Sequence, residues 1–154
     1  MAIRITQAPG NHRGKYGFFK EHALTHQFCD GKVGVELGAA AHNPFGLPGA
    51  VNVAPADDYQ FYVDAQVAHS GWYAEVDVWG EADSFEWAPP GGLDYIVSSH
   101  VVEHIPDLIK AFLHWNELLK VGGVVVMIFP KRTALPSDVG RQSTSFSRAT
   151  IRLL

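Results

Sequence analysis

Apolar and polar positions change period several times along the chain, and each change marks an element. Residues 15–28 (K-Y-G-F-F-K-E-H-A-L-T-H-Q-F) set Tyr16, Phe19, Ala23 and His26 at helical spacing, which predicts a helix. The turn D-G-K (30–32) leads into V-G-V-E-L (33–37), a short buried strand, and A-V-N-V-A (50–54) makes a second. Between them, G-A-A-A-H-N-P-F-G-L-P-G (38–49) is too rich in glycine and proline for a full helix. Asp57 or Asp58 caps a predicted helix over 59–69, with Phe61, Tyr62, Ala65 and Ala68 as its inner face. Y-A-E-V-D-V-W (73–79) alternates as a half-buried strand does, P-P-G-G (89–92) is a turn, and L-D-Y-I-V-S-S (93–99) is a strand. A helix is predicted over 106–119, with Pro106 in its first turn. Leu108, Ala111, Phe112, Trp115, Leu118 and Leu119 form its apolar stripe, and Gly122 lies where it stops. V-V-V-M-I-F (124–129) is the most hydrophobic strand of the chain.

Strands thus alternate with helices, and several strands are apolar on both faces. That combination predicts an α/β fold, an open and mostly parallel sheet of about five strands with helices on both faces. In such sheets ligands sit beyond the carboxyl ends of the strands, where the strand order reverses. The residues just after each strand are therefore the candidates for chemistry.

Composition narrows the function classes. The 154 residues are 47% hydrophobic and 18% charged, which fits one globular domain, here residues 1–132 with an irregular arm over 1–14. Residues 1–130 carry 7 basic and 15 acidic side chains, whereas 131–154 carry 5 and 1. The acidic body argues against nucleic-acid binding, and residues 133–154 read as a solvated basic tail. No apolar run approaches the length of a membrane span, and the N-terminus lacks the apolar core of a signal peptide. The single cysteine, Cys29, excludes an intrachain disulfide, reads as a small buried hydrophobe, and fits a reducing cytoplasm.

At the end of the first strand Glu36 precedes Gly38, which lets the backbone turn beside a ligand. A nicotinamide dinucleotide fingerprint wants G-x-G-x-x-G at this place. Alanine at 40, asparagine at 43 and the proline that follows disfavour it. After the third strand, G-E-A-D-S-F-E-W (80–87) supplies acidic side chains and backbone amides suited to a purine edge.

These segments, taken in order, resemble the class I S-adenosylmethionine-dependent methyltransferases, in particular the small type 11 group. The likeness rests on V-E-L-G-A-A-A, G-E-A-D-S-F, L-D-Y-I-V-S-S-H-V-V-E-H-I-P-D and L-L-K-V-G-G-V-V-V-M-I-F-P, and covers residues 33–132. It implies a Rossmann-like sheet, S-adenosylmethionine as cofactor and a small-molecule methyl acceptor. By the same likeness Glu36, Gly38, Ala39 and Ala40 face the cofactor's methionine part. Glu81, Ala82 and Asp83 lie by the adenine, and Ser98, Ser99 and His100 floor the pocket near the reacting methyl. The chain departs from the pattern in three places. Alanine replaces a second glycine in the first loop. N-V-A-P (52–55) lacks the acid that holds the ribose hydroxyls, leaving Asn52 or Asp57 to substitute. Residues 133–154 show no strands beyond the five visible, as if the fold were shortened.

S-S-H-V-V-E-H (98–104) also spells the H-x-x-E-H of inverted zinc proteases. That chemistry needs one long helix and a third ligand. Only Glu117, Asp107 and Asp138 follow, and Pro106 breaks the run, so a metal hydrolase is disfavoured. The small-RNA 2′-O-methyltransferases bind a divalent ion with a similar stretch and a later histidine, here His114. The simpler expectation is no metal, with Glu103 and His104 fixing the start of the next helix by hydrogen bonds. His100 remains as the candidate proton acceptor for a hydroxyl or amine nucleophile. The alternative to an enzyme is a catalytically silent binding or assembly module. The strand at 124–129 would lie at an open sheet edge, which a homodimer would cover.

Overall fold

The computed structural model of the chain describes residues 22–41, 45–57, 59–71, 73–131 and 139–140. The expectations for the arm at 1–14, most of the tail and the start of the first helix lie outside these residues. Two strands form the centre. β1 (Gly34–Leu37) is buried at every position, and β4 (Leu93–Ser99) at all but Asp94. Strands buried on both faces must be covered on both, and parallel pairing with helical crossovers does this. β2 (Ala50–Ala54) lies beside β1, β3 (Val78–Trp79) beside β2, and β5 (Leu119–Ile128) beside β4. The order is β3-β2-β1-β4-β5, every pair parallel, so the sequence direction across the sheet reverses between β1 and β4. The expected open α/β sheet of five strands is what forms.

Two apolar clusters cover the faces. On one, Val35, Leu37, Val51, Val53, Leu93 and Ile96 meet Ala111, Trp115 and Leu118 of helix α3 (Leu108–Leu118). On the other, Tyr95 and Val97 pack with Cys29 of helix α1 (His22–Cys29) and with Phe45, Leu47 and Ala50. Burial pushes the Cys29 thiol up to about 11, so it is an inert small hydrophobe, as its sequence context suggests. His26 ties α1 to the loop before β2 through Asp30 (2.6 Å) and the Phe45 carbonyl (2.9 Å).

Four expectations need correction. The strand predicted over 73–79 shrinks to Val78–Trp79. Residues before it are held to β2 by one backbone bond, Asp77 N to the Asn52 carbonyl (3.0 Å), and by two bonds that involve side chains, with Asn52 N donating to Asp77 Oδ2 and Asn52 Nδ2 to the Glu75 carbonyl. Helix α2 (Tyr59–Ser70) turns Gln66 inward and leaves Phe61 and Tyr62 exposed, because apolar residues surround this helix too evenly to fix a face. α3 starts at Leu108 rather than 106, with the Asp107 carboxylate accepting from Lys110 N as its cap, and Leu108 and Phe112 stay exposed. Glu103 and His104 therefore do not serve as its cap; they sit in a separate 3₁₀ turn (Val102–His104). Gly122 does not stop the helix but lies inside β5, at φ 82°. The register there jumps from Leu93↔Leu119 to Tyr95↔Val124, so the ladder is interrupted around the glycine.

The closest approach across the central pair is at Gly34. A side chain there would meet both the carbonyl and the ring of Tyr95. Gly34→Ala is expected to lower stability by about 2 kcal/mol or more through overpacking, read as a fall in the urea midpoint with an unchanged slope. A midpoint equal to wild type would mean that the two strands separate freely.

Candidate functional site

The carboxyl ends of β1 to β4 open into a single cavity of about 650 Å³. Gly38, Ala39 and Ala40 follow β1 into its wall, Ala54 and Pro55 follow β2, Gly80 to Asp83 follow β3, and Ser99, His100 and Val101 follow β4. This is the place that strand-order reversal predicts. Of the residues singled out from the sequence, Glu36, Gly38, Ala39, Ala40, Glu81, Ala82, Asp83, Ser99 and His100 all line it.

Asn52 and Ser98 do not line the cavity. Asn52 is buried, and its amide donates to the Ala40 carbonyl at 2.8 Å. It thus holds the first loop from below, where Ala40 adopts φ 46°, a left-handed conformation costly for a residue with a Cβ. Ser98 is fully buried in register with Leu37, on the α3 face of the sheet. Asp57, Tyr59 and Tyr62 line the cavity although pattern reading missed Tyr59 and assigned Tyr62 to a core. The available signal was their position just after the proline that ends β2. Tyr59 is fixed by donating its hydroxyl to the Ala74 carbonyl (2.9 Å) and by an edge-on contact with Trp79.

The acidic loop after β3 hangs from α3. Lys110 Nζ reaches Asp83 Oδ2 (3.0 Å), Trp115 Nε1 donates to the Ala82 carbonyl (2.7 Å), and His114 Nε2 bonds the Phe85 carbonyl (3.0 Å). The Lys110 hydrogen bond holds the Asp83 carboxyl below its usual range. His114, the expected later histidine of a metal site, is thereby committed to Phe85. Among the described residues no group of three or more His, Cys, Asp or Glu is placed to hold a metal ion.

His100 stands at φ 55°, its backbone N donating to the Ile128 carbonyl (2.8 Å), so the end of β5 fixes the turn that carries it. Its Nδ1 lies 3.7 Å from Glu103 Oε1, and His104 joins it on the cavity wall.

Comparison with known proteins follows from this geometry. A family model described as "Methyltransferase domain" matches residues 14–148. The chain belongs to that family. A S-adenosylmethionine-dependent methyltransferase of Thermotoga maritima, titled a possible histamine N-methyltransferase, superposes with a TM-score of 0.56 at 18% identity. The match covers 79% of this chain and 55% of that one. A proposed sarcosine dimethylglycine methyltransferase of Galdieria sulphuraria gives 0.50 at 20% identity, covering 70% and 43%. This methyltransferase-domain chain thus spans about half the length of the solved structures it resembles. No curated protein matches it.

The family's cofactor is S-adenosylmethionine, and two features of this cavity suit it. The Glu36 carboxyl is 2% exposed, and its Oε1 has no hydrogen-bond partner among the described residues. Burial alone pushes this acid up to about 8. Gly38, at φ 71°, packs so closely on Val101 that no Cβ fits there, which keeps the backbone of the turn bare where it lines the cavity. The buried acid is the feature that a cationic ligand group would complete.

The raised acid sets a pH dependence. Folded Glu36 holds its proton to about 8, while the unfolded chain releases it near 4.5, so this group's contribution to stability is full below 4.5 and is lost as pH rises to about 8. The decline is up to about 1.4 kcal/mol per pH unit. Urea unfolding of the ligand-free protein across that window is expected to show the loss, and Glu36→Gln to remove it. Parallel profiles for the two proteins would mean that Glu36 is solvated.

Proposed function

We propose that the protein transfers a methyl group from S-adenosylmethionine to a small-molecule acceptor. The observation that carries this reading is the cavity at the reversal of strand order, lined by the turn after β1, the acidic loop after β3 and the His100 turn after β4. Glu36, Gly38, Ala39 and Ala40 are proposed to hold the methionine part, and Glu81, Ala82 and Asp83 the adenine. Asp57 rather than Asn52 takes the ribose hydroxyls, because it lines the cavity and Asn52 is spent on Ala40. Ser99 lies at the cavity floor, and Ser98 is proposed to support it from the far face.

When bound, the cofactor supplies an electrophilic methyl on a sulfonium, so the protein's part is alignment and proton handling. His100 is the proposed proton acceptor: the acceptor's nucleophilic atom loses its proton to the imidazole, which Glu103 faces. The β5 face that carries Val125 and Met127, exposed among the described residues and opposite the side on which Val124, Val126 and Ile128 pack, supports a homodimer as its cover.

Calorimetric titration with S-adenosylmethionine and its demethylated product tests the reading against the alternative of a silent assembly module. Saturable binding is expected, and binding of neither compound would leave the assembly module standing. Gly38→Val should abolish binding while the circular dichroism spectrum stays unchanged; full affinity in that variant would move the cofactor elsewhere. His100→Ala should keep the affinity but slow transfer of labelled methyl to a responsive acceptor by about 10²-fold. Undiminished transfer by that variant would remove His100 from the chemistry.

A further inference from the structure

Glu36 is a buried acid whose Oε1 has no hydrogen-bond partner among the described residues. Its side chain is 2% exposed yet lines the cavity, and no described lysine or arginine lines that cavity with it. The cations nearest in role are already placed: Lys110 is bonded to Asp83 and Lys120 to Asp94. On its own face of the sheet it meets Cys29 from α1, Asn52 from β2 and Tyr95 from β4. Burial holds the Cys29 thiol and the Tyr95 hydroxyl in their neutral forms. Across the cavity stand Asp57, Glu81, Asp83, His100 and His104. A carboxylate left ionised in such a place carries a large desolvation cost, and the neutral acid removes it.

We propose that Glu36 is a proton-linked counter-ion: it stays protonated in the empty cavity and ionises when a cationic ligand group arrives, so ligand binding expels its proton to solvent. The inference rests on the methyl-donor reading and deepens it. Proton balance is simple: one O–H bond at Glu36 breaks, the proton goes to buffer, and the carboxylate forms an ion pair with the ligand. Both the ammonium of the donor's amino-acid part and its sulfonium have the required charge, and they differ in one respect. The demethylated product keeps the ammonium but has lost the sulfonium.

The consequence is a binding constant that depends on pH. Burial sets the acid's titration near 8 in the empty protein, so affinity should rise with pH up to that point, by at most about tenfold per unit; above it affinity levels if the sulfonium is the cation and falls if the ligand's ammonium, which loses its own proton there, is.

The experiment is calorimetric titration of the full chain with S-adenosylmethionine near neutral pH, in phosphate and in Tris, whose ionisation enthalpies differ widely. The expected result is an apparent enthalpy that differs between buffers by the release of about one proton per ligand. Glu36→Gln, which keeps shape and removes the titration, should still fold, and any binding it retains should be independent of buffer. His100→Ala and His104→Ala should keep the release. Repeating the titration with the demethylated product identifies the cation. An equal release points to the ammonium and a release seen only with the donor to the sulfonium, and either supports the proposal. Wild-type binding with equal enthalpies in the two buffers overturns it, as does release that persists in Glu36→Gln. Absence of any binding by wild type would instead remove the methyl-donor reading itself.

Discussion

The parallel ladder between β1 and β4 is the constraint on which the rest depends. Gly34 to Leu37 pair in register with Tyr95 to Ser98, and neither strand has a face left for water. Because the chain winds outward in both directions from this pair, the loops after β1 and β4 diverge and leave a gap. The cavity is that gap. Glu36, next to last in β1, stands where that strand opens into the gap. The missing Cβ at Gly34 lets the two strands approach closely enough for the ladder to exist.

Around the gap, support comes in layers of polar bonds rather than apolar mass. Asn52 holds Ala40, the Ile128 carbonyl holds the His100 turn, and three bonds from α3 hold the acidic loop. Each bond fixes backbone that has no regular ladder of its own. Five buried side-chain oxygens have no hydrogen-bond partner among the described residues: Glu36 Oε1, Asn52 Oδ1, Tyr95 Oη, Ser98 Oγ and Ser99 Oγ. Of these residues Glu36 and Ser99 line the cavity, where a ligand's polar groups come within reach.

Much of this was legible in the residues. Apolar runs bounded by turn residues gave β1, β2, β4 and β5, and the rule about strand ends found most of the cavity wall. The failures have physical causes. Neighbouring residues of a strand face opposite ways, so Ser98 and Ser99 could not both look into the cavity. Asn52 is a ligand candidate only because N-V-A-P lacks the acid that the family resemblance expects, and its partners, the Ala40 and Glu75 carbonyls, cannot be foreseen from the residues around it. The inner face of α2 was misjudged because its ring of apolar side chains is nearly continuous. Gly122 has the sequence context of a helix stop, but Leu119 passes directly from α3 into β5, and the glycine lies at the register shift of that strand. Asp57 was considered only as a substitute, and Tyr59 not at all, since nothing local distinguishes a helix start that faces a ligand from one that faces water.

The central ladder also has a consequence in time. Val33 bonds to Asp94, 61 residues further along the chain, so the innermost pairing of the sheet is also one of long range. Closing so large a loop costs entropy before the pairing returns anything. Chains dominated by such contacts fold slowly, with strands exposed in the interval. During synthesis β1 and β2 emerge early and must wait, apolar on both faces, for β4 to leave the ribosome. Until that happens, the segment carrying β1 and β2 holds the apolar surface left longest without its partner strand.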